Sequence, residues 1–183
     1  MNICVFCSSS NQIDRCYIAA AQELGRTIAE CGHTLVFGGY DMGLMGETAK
    51  ATVSAGGKVI GVTTAGLSAK GRSVVTGIQE LQTENLSKRK ETMVSLSDAF
   101  ITMPGGIGTL DEFFSVISQA KVGEIRGKSA LFNVEGYFDP LVQMLDDSCE
   151  KGLNSTDWHE YGSAFSDCKA LMKWLESQSL QSN

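Results

Sequence analysis

Between a run of apolar residues and an amphipathic stretch lies Met103-Pro104-Gly105-Gly106-Ile107-Gly108-Thr109-Leu110-Asp111-Glu112. Three glycines beside a proline let a backbone turn tightly and come close to a ligand. Where such a loop follows a strand and opens a helix, the first helical amides have no partner within the helix and point toward an anion such as phosphate. Gly105, Gly106, Ile107, Gly108 and Thr109 are therefore candidate phosphate contacts. A carboxylate at Glu112, one turn farther on, suits stabilisation of positive charge on a sugar or orientation of a water. A second reading stands beside this one: Thr109 and Glu112 match a T-x-x-E capping box, with Thr109 as the helix N-cap.

Arg89 is the next residue with chemical content. Leu86, Arg89, Met93 and Leu96 fall at helical spacing, so an arginine occupies an otherwise apolar stripe, while Lys88 and Lys90 lie off it. Either its stem covers apolar surface while its head reaches water, or its guanidinium points into a cleft to meet Glu112 or a ligand. A second glycine loop, Gly38-Gly39-Tyr40-Asp41-Met42-Gly43, runs into Leu44-Met45-Gly46. It either offers backbone amides to a ligand, with Gly39 a candidate contact, or lets a helix pack closely on a strand.

These residues need a scaffold, and the chain alternates strand with helix throughout. Apolar runs predict strands at 3–7, 34–37, 58–63, 78–82, 99–103 and 129–133. Periodicity and stop signals predict helices at about 14–31, 44–55, 86–97, 110–122, 138–150 and 167–176. Residues 64–77 have neither period nor proline and read as a mobile surface loop. The pattern implies an α/β, Rossmann-like, doubly wound and mostly parallel sheet with helices on both faces. In such sheets ligands bind beyond the carboxyl ends of the strands, the edge where both glycine loops fall.

A length of 183 residues fits one domain, expected as a core of about 1–151 with a C-terminal helical extension of about 152–183. A formal charge of −6 argues against a nucleic-acid surface, though backbone amides can still build a local anion site. No apolar run approaches the ~20 residues of a membrane span, and the first residues read as a strand, so a cytoplasmic protein is expected. Cys4 and Cys7 form a C-x-x-C within one predicted strand, where alternation sends them to opposite faces. With His33 and His159 the only histidines, neither a redox pair nor a metal site is expected, and the six cysteines read as reduced structural thiols.

Taken together, Gly43-Leu44-Met45-Gly46, Arg89-Lys90 with Met93, and Pro104-Gly105-Gly106-Ile107-Gly108-Thr109 with Glu112 resemble the LOG ("Lonely Guy") family. The resemblance runs from Phe6-Cys7-Ser8-Ser9-Ser10 to Asn133-Val134-Glu135-Gly136-Tyr137. It implies a Rossmann-like homodimer that releases a free base and ribose 5-phosphate from a purine nucleoside 5′-monophosphate, AMP or an N6-modified, cytokinin-type nucleotide, without a cofactor. It implies catalytic roles for Arg89 and Glu112, and nucleotide contacts from Lys90, residues 105–109 and Ser118. Three positions depart from the family pattern: Tyr40 stands where a third glycine is usual, Gln119 where tryptophan is common, and Lys121 where glutamine follows. A binding protein for a nucleotide or molybdenum cofactor is the alternative. Amino-acid decarboxylation, an old label for the family, would need pyridoxal phosphate on a Schiff-base lysine, for which no lysine here has a recognisable setting.

Overall fold

The computed structural model describes residues 1–180. The first half runs β1 (Asn2–Phe6), α1 (Arg15–Glu30), β2 (Thr34–Phe37), α2 (Gly43–Ser54), β3 (Lys58–Thr64), a short α3 (Ala65–Ser68) and β4 (Gln79–Thr83). The second half runs α4 (Leu86–Ser95), β5 (Ala99–Thr102), α5 (Ile107–Lys121), β6 (Ser129–Phe132), α6 (Asp139–Glu150), β7 (Gly162–Phe165) and α7 (Cys168–Leu180). The strands form one sheet in the order β4-β3-β2-β1-β5-β6-β7, and every neighbouring pair is parallel.

Parallel strands are buried on both faces, which is why β1, β2, β5 and β6 read as nearly unbroken apolar runs. Along β1, Ile3 and Val5, then Cys7, pack with Ala21, Leu24 and Ile28 of α1 and Leu171 and Leu175 of α7. Cys4 and Phe6 enter a separate cluster with Met93 and Val94 of α4 and Val116 of α5. The two thiols of the C-x-x-C thus lie in different cores on opposite faces, as strand alternation dictates. Burial pushes the Cys7 thiol far above its ordinary range, so it is uncharged.

Successive strands build outward from β1 to β4, and the chain then returns to place β5 on the other side of β1. Loops after β1 and β5 therefore diverge, opening a crevice at the carboxyl edge. Three expectations need correction. Residues 162–165, expected within a helical extension, form β7 and pair with β6. Residues 64–77, expected as a mobile loop, contain the end of β3 and α3, and are tied down by Asp41 N–H donating to Ser73 O at 2.8 Å and Val75 N–H donating to Gly39 O at 3.2 Å. The helix after the 103–106 loop starts at Ile107, three residues before its expected first turn.

Candidate active site

That earlier start changes the chemistry of the loop. Gly106 is the N-cap of α5 and supplies no side-chain cap, so Thr109 lies inside the first turn and not before it. The capping-box reading of Thr109 and Glu112 therefore fails, and the amides of Ile107, Gly108 and Thr109 belong to the turn that has no intrahelical acceptor. The loop is fixed from two sides. Tyr137 donates its hydroxyl to Gly105 O at 2.6 Å, and Ser8 N–H donates to Pro104 O at 3.1 Å. The loop after β1 is tied in turn to α2, through Leu44 N–H to Ser8 O at 3.0 Å and Gly43 N–H to Asn11 Oδ1 at 2.9 Å.

Released from capping, Glu112 faces Arg89, with Nη1 to Oε1 at 3.8 Å and side chains only 12% and 18% exposed. Arg89 is aimed by its own anchor: Nε donates to Val62 O, at 2.8 Å, so the guanidinium bridges from β3 toward α5. Its course demands glycine at the end of β2, because a Cβ at Gly38 would lie 1.8 Å from Arg89 Nη2 and 3.0 Å from Met45 Sδ. Burial is the dominant influence on Glu112 and lifts its carboxyl from about 4.5 to about 7; Arg89 and Lys90 oppose the rise and Asp111 adds to it. The unperturbed sequence value would leave Glu112 fully ionised at neutrality; in the fold it is poised between its two forms.

A cleft of about 360 Å³ joins these parts. Ser8, Ser9 and Ser10 after β1, Gly106, Gly108 and Thr109 of the glycine loop, and Arg89 with Glu112 line it, together with Cys7, Met45 and Arg72. The structure thus brings five of the ten sequence-derived site residues to one cavity: Arg89, Glu112, Gly106, Gly108 and Thr109. Gly105 borders the adjoining hollow with Pro104 and Tyr137. The Ile107 side chain is 89% exposed, leaving only its amide near the helix start. Gly39 accepts from Val75 and packs against Thr63, outside the cleft lining. Lys90 is directed to Asp111 at 2.8 Å and Ser115 at 2.9 Å, and Ser118 is exposed farther along α5; neither lines the cleft. Lys121 bonds Asn154 Oδ1 at 2.5 Å, also away from the cleft.

Sequence reasoning missed Arg72 and gave Ser8, Ser9 and Ser10 no role. A run of small hydroxyl residues directly after the central strand was the available signal for the serines. Arg72 left none, because its loop has no periodicity and reaches the cleft through backbone bonds to the 39–41 segment.

The family described as "Possible lysine decarboxylase" matches residues 45–175. The cytokinin riboside 5′-monophosphate phosphoribohydrolase LOG1 of Arabidopsis thaliana is 39% identical over 175 residues, covering 95% of this chain and 82% of that protein. LOG4 of the same plant is 36% identical over 177 residues, covering 97% and 82%. The probable phosphoribohydrolase LOGL9 of Oryza sativa subsp. japonica is 37% identical over 174 residues, covering 95% and 77%. Among solved structures, the molybdenum cofactor carrier protein of Chlamydomonas reinhardtii superposes with a TM-score of 0.73 at 19% identity over 98% of both chains, a likeness of fold. The Arg89–Glu112 pair, the glycine loop and these relatives converge: the chain belongs to the LOG family, the family of the cytokinin riboside 5′-monophosphate phosphoribohydrolases.

Proposed function

We propose that this protein hydrolyses the N-glycosidic bond of a purine nucleoside 5′-monophosphate, AMP or an N6-modified, cytokinin-type nucleotide, giving the free base and ribose 5-phosphate. The observation that carries the reading is a buried carboxylate, Glu112, facing Arg89 one turn from a helix N-terminus that no side chain caps. The phosphate sits at the amides of Ile107, Gly108 and Thr109, where fixed dipoles favour negative charge. That anchor sets C1′ against Glu112. As the C1′–N9 bond breaks, its electron pair stays with the base and the sugar gains positive character. Ionised Glu112 stabilises that charge and accepts a proton from the attacking water, whose oxygen and other hydrogen remain on C1′. The departing base takes up one proton in exchange. Arg89 holds Glu112 in place, and its charge keeps enough of the carboxyl ionised near neutrality. Liberation of adenine from AMP by the purified protein, read by chromatography, tests this directly; tight binding without release would favour a carrier of the kind the fold also serves.

Decarboxylation finds no support in the site. Pyridoxal phosphate chemistry requires a lysine amine, no lysine among the described residues lines the cleft, and neighbouring Lys90 is held by Asp111 and Ser115.

Gly38→Ala should lower turnover by about 100-fold, the effect of displacing a catalytic group by roughly 1 Å, while leaving the melting temperature nearly unchanged. The added methyl meets the tip of Arg89 and, at 3.0 Å, the sulfur of Met45, both parts of flexible side chains, and not the backbone of the core. Normal activity in a folded Gly38→Ala protein would show that the position of Arg89 is immaterial.

We also propose a homodimer that pairs through α5. Ile107, Asp111, Phe114 and Ser118 fall on one stripe of that helix, where Ile107 and Phe114 expose apolar surface. Lys90 reaches the same stripe through Asp111, so pairing there would place Lys90 and Ser118 at the interface. Light scattering should return twice the monomer mass of 19.6 kDa at micromolar concentration; the monomer mass would remove the proposal.

A further inference from the structure

The loop from α3 to β4 is stitched over the end of β2. Tyr40 pairs with Val74 in an isolated antiparallel bridge, flanked by the Asp41–Ser73 and Val75–Gly39 backbone bonds. Tyr40 is fully buried, and its hydroxyl donates to Thr64 O and accepts from Thr64 N–H, each at 2.9 Å. The ring so fixed carries the guanidinium of Arg72, whose central carbon lies 5.7 Å from the ring centroid. Half-buried Arg72 lines the catalytic cleft. Arg89 has its Nε committed to Val62 O and its charge paired with Glu112 at 3.8 Å, whereas among the described residues no carboxylate lies within ion-pair distance of Arg72. The cleft therefore contains a second cation, held by cation–π contact and free to donate to a ligand.

Position decides which part of the ligand that is. The α5 amides stand on the β5 side of the crevice, and Arg72 arrives from the β2 and β3 side. Glu112 stands on α5 itself, and Arg89 reaches toward it from Gly38 and Val62. We propose that Arg72 is the base-contacting residue of the reaction: it donates hydrogen bonds to ring nitrogens of the purine as the electron pair of the breaking C1′–N9 bond passes to the base. This rests on the glycosidase reading above. Arginine stays protonated, so Arg72 stabilises the leaving base by charge and gives up no proton. Tyr40 is its positioning residue, which gives the departure from the family's third glycine a task.

Leaving-group dependence tests the assignment. Wild type, Arg72→Met and Tyr40→Leu are assayed on AMP and on 4-nitrophenyl ribofuranoside 5-phosphate, whose nitrophenolate departs without assistance, with inorganic phosphate as competitor. Arg72→Met should lose roughly 10- to 100-fold in kcat on AMP, the worth of a charge-assisted hydrogen bond, but little on the nitrophenyl substrate, with phosphate inhibition unchanged. Tyr40→Leu should show the same split to a smaller degree; the ratio of the two rates does not depend on how much of the variant is folded. Equal losses on both substrates with weaker phosphate inhibition would make Arg72 a phosphate ligand and overturn the proposal. Undiminished turnover of AMP by Arg72→Met would overturn it too. Absence of base release by wild type would instead refute the glycosidase reading itself.

Discussion

Glu112→Gln is expected to cut base release from AMP by about three powers of ten, within the range for loss of a positioned general base, while nucleotide binding survives. The amide keeps the volume of the carboxylate and the anion site lies a turn away in backbone groups, so affinity has no reason to collapse. Two further results should accompany the loss. In wild type, kcat/KM should rise with pH through a midpoint near 7, because the ionised form of Glu112 is the active one and burial has moved its titration there. The variant's residual activity should lack that limb. The stability of the two proteins should also diverge with pH. Folded Glu112 holds its proton up to about pH 7, whereas in the unfolded chain the group titrates near 4.5. Between those values the folded state binds more protons, so stability is lost as pH rises, and above pH 7 the whole cost of a buried charge is borne. Glu112→Gln should therefore be the more stable protein at pH 8, by about 1–3 kcal/mol, and no more stable at pH 4. Near-normal turnover by the variant would remove Glu112 from the chemistry, and a wild-type profile flat between pH 5 and 8 would contradict the poised carboxyl.

Removing the 5′-phosphate should have the next largest effect, with AMP exceeding adenosine in kcat/KM by two or more powers of ten. Amides at the start of α5 reward only a ligand that brings an anion to them. Attraction to a helix terminus is typically about 0.3–2 kcal/mol, and each charge-assisted bond adds to it. At about 1.4 kcal/mol per tenfold, several such contacts together reach that ratio. Part of this binding energy holds C1′ against Glu112, so adenosine should lose kcat and not affinity alone. Inorganic phosphate should compete with AMP and leave the slow turnover of adenosine untouched. Equal efficiency on the two substrates would mean that the glycine loop is not a phosphate cradle.

Much of this site was legible in the residues themselves. The apolar runs of β1, β2 and β5 announce a buried parallel sheet, and a glycine loop after β5 falls at its ligand-binding edge by topology alone. Arg89 betrayed itself by interrupting an apolar stripe. Other features depend on what the fold brings together. The start of α5 was misplaced because Gly108 at its second position disfavours helix and the true cap, Gly106, has no side chain to signal it, while Thr109 imitates a cap. β7 is four residues long and only partly buried, so its pattern is too short to read. The poise of Glu112 arises from burial under groups distant in sequence, and Arg72 enters the cleft only because a neighbouring loop offers backbone partners.

The central place of β1 bears on how the protein is made. Its first partner, β2, follows within about thirty residues, but its other edge waits for β5, with Ile3 aligned to Ala99 and Phe6 to Thr102. At a ribosomal rate of about 5–20 residues per second, that edge stands open for roughly 5–20 s. Throughout this interval the nascent chain carries an unpaired strand of isoleucine, cysteine, valine and phenylalanine, a template for pairing with another chain. The same strand order that opens a crevice for a nucleotide thus makes the amino-terminal half dependent on prompt completion of synthesis, or on a chaperone to shield it.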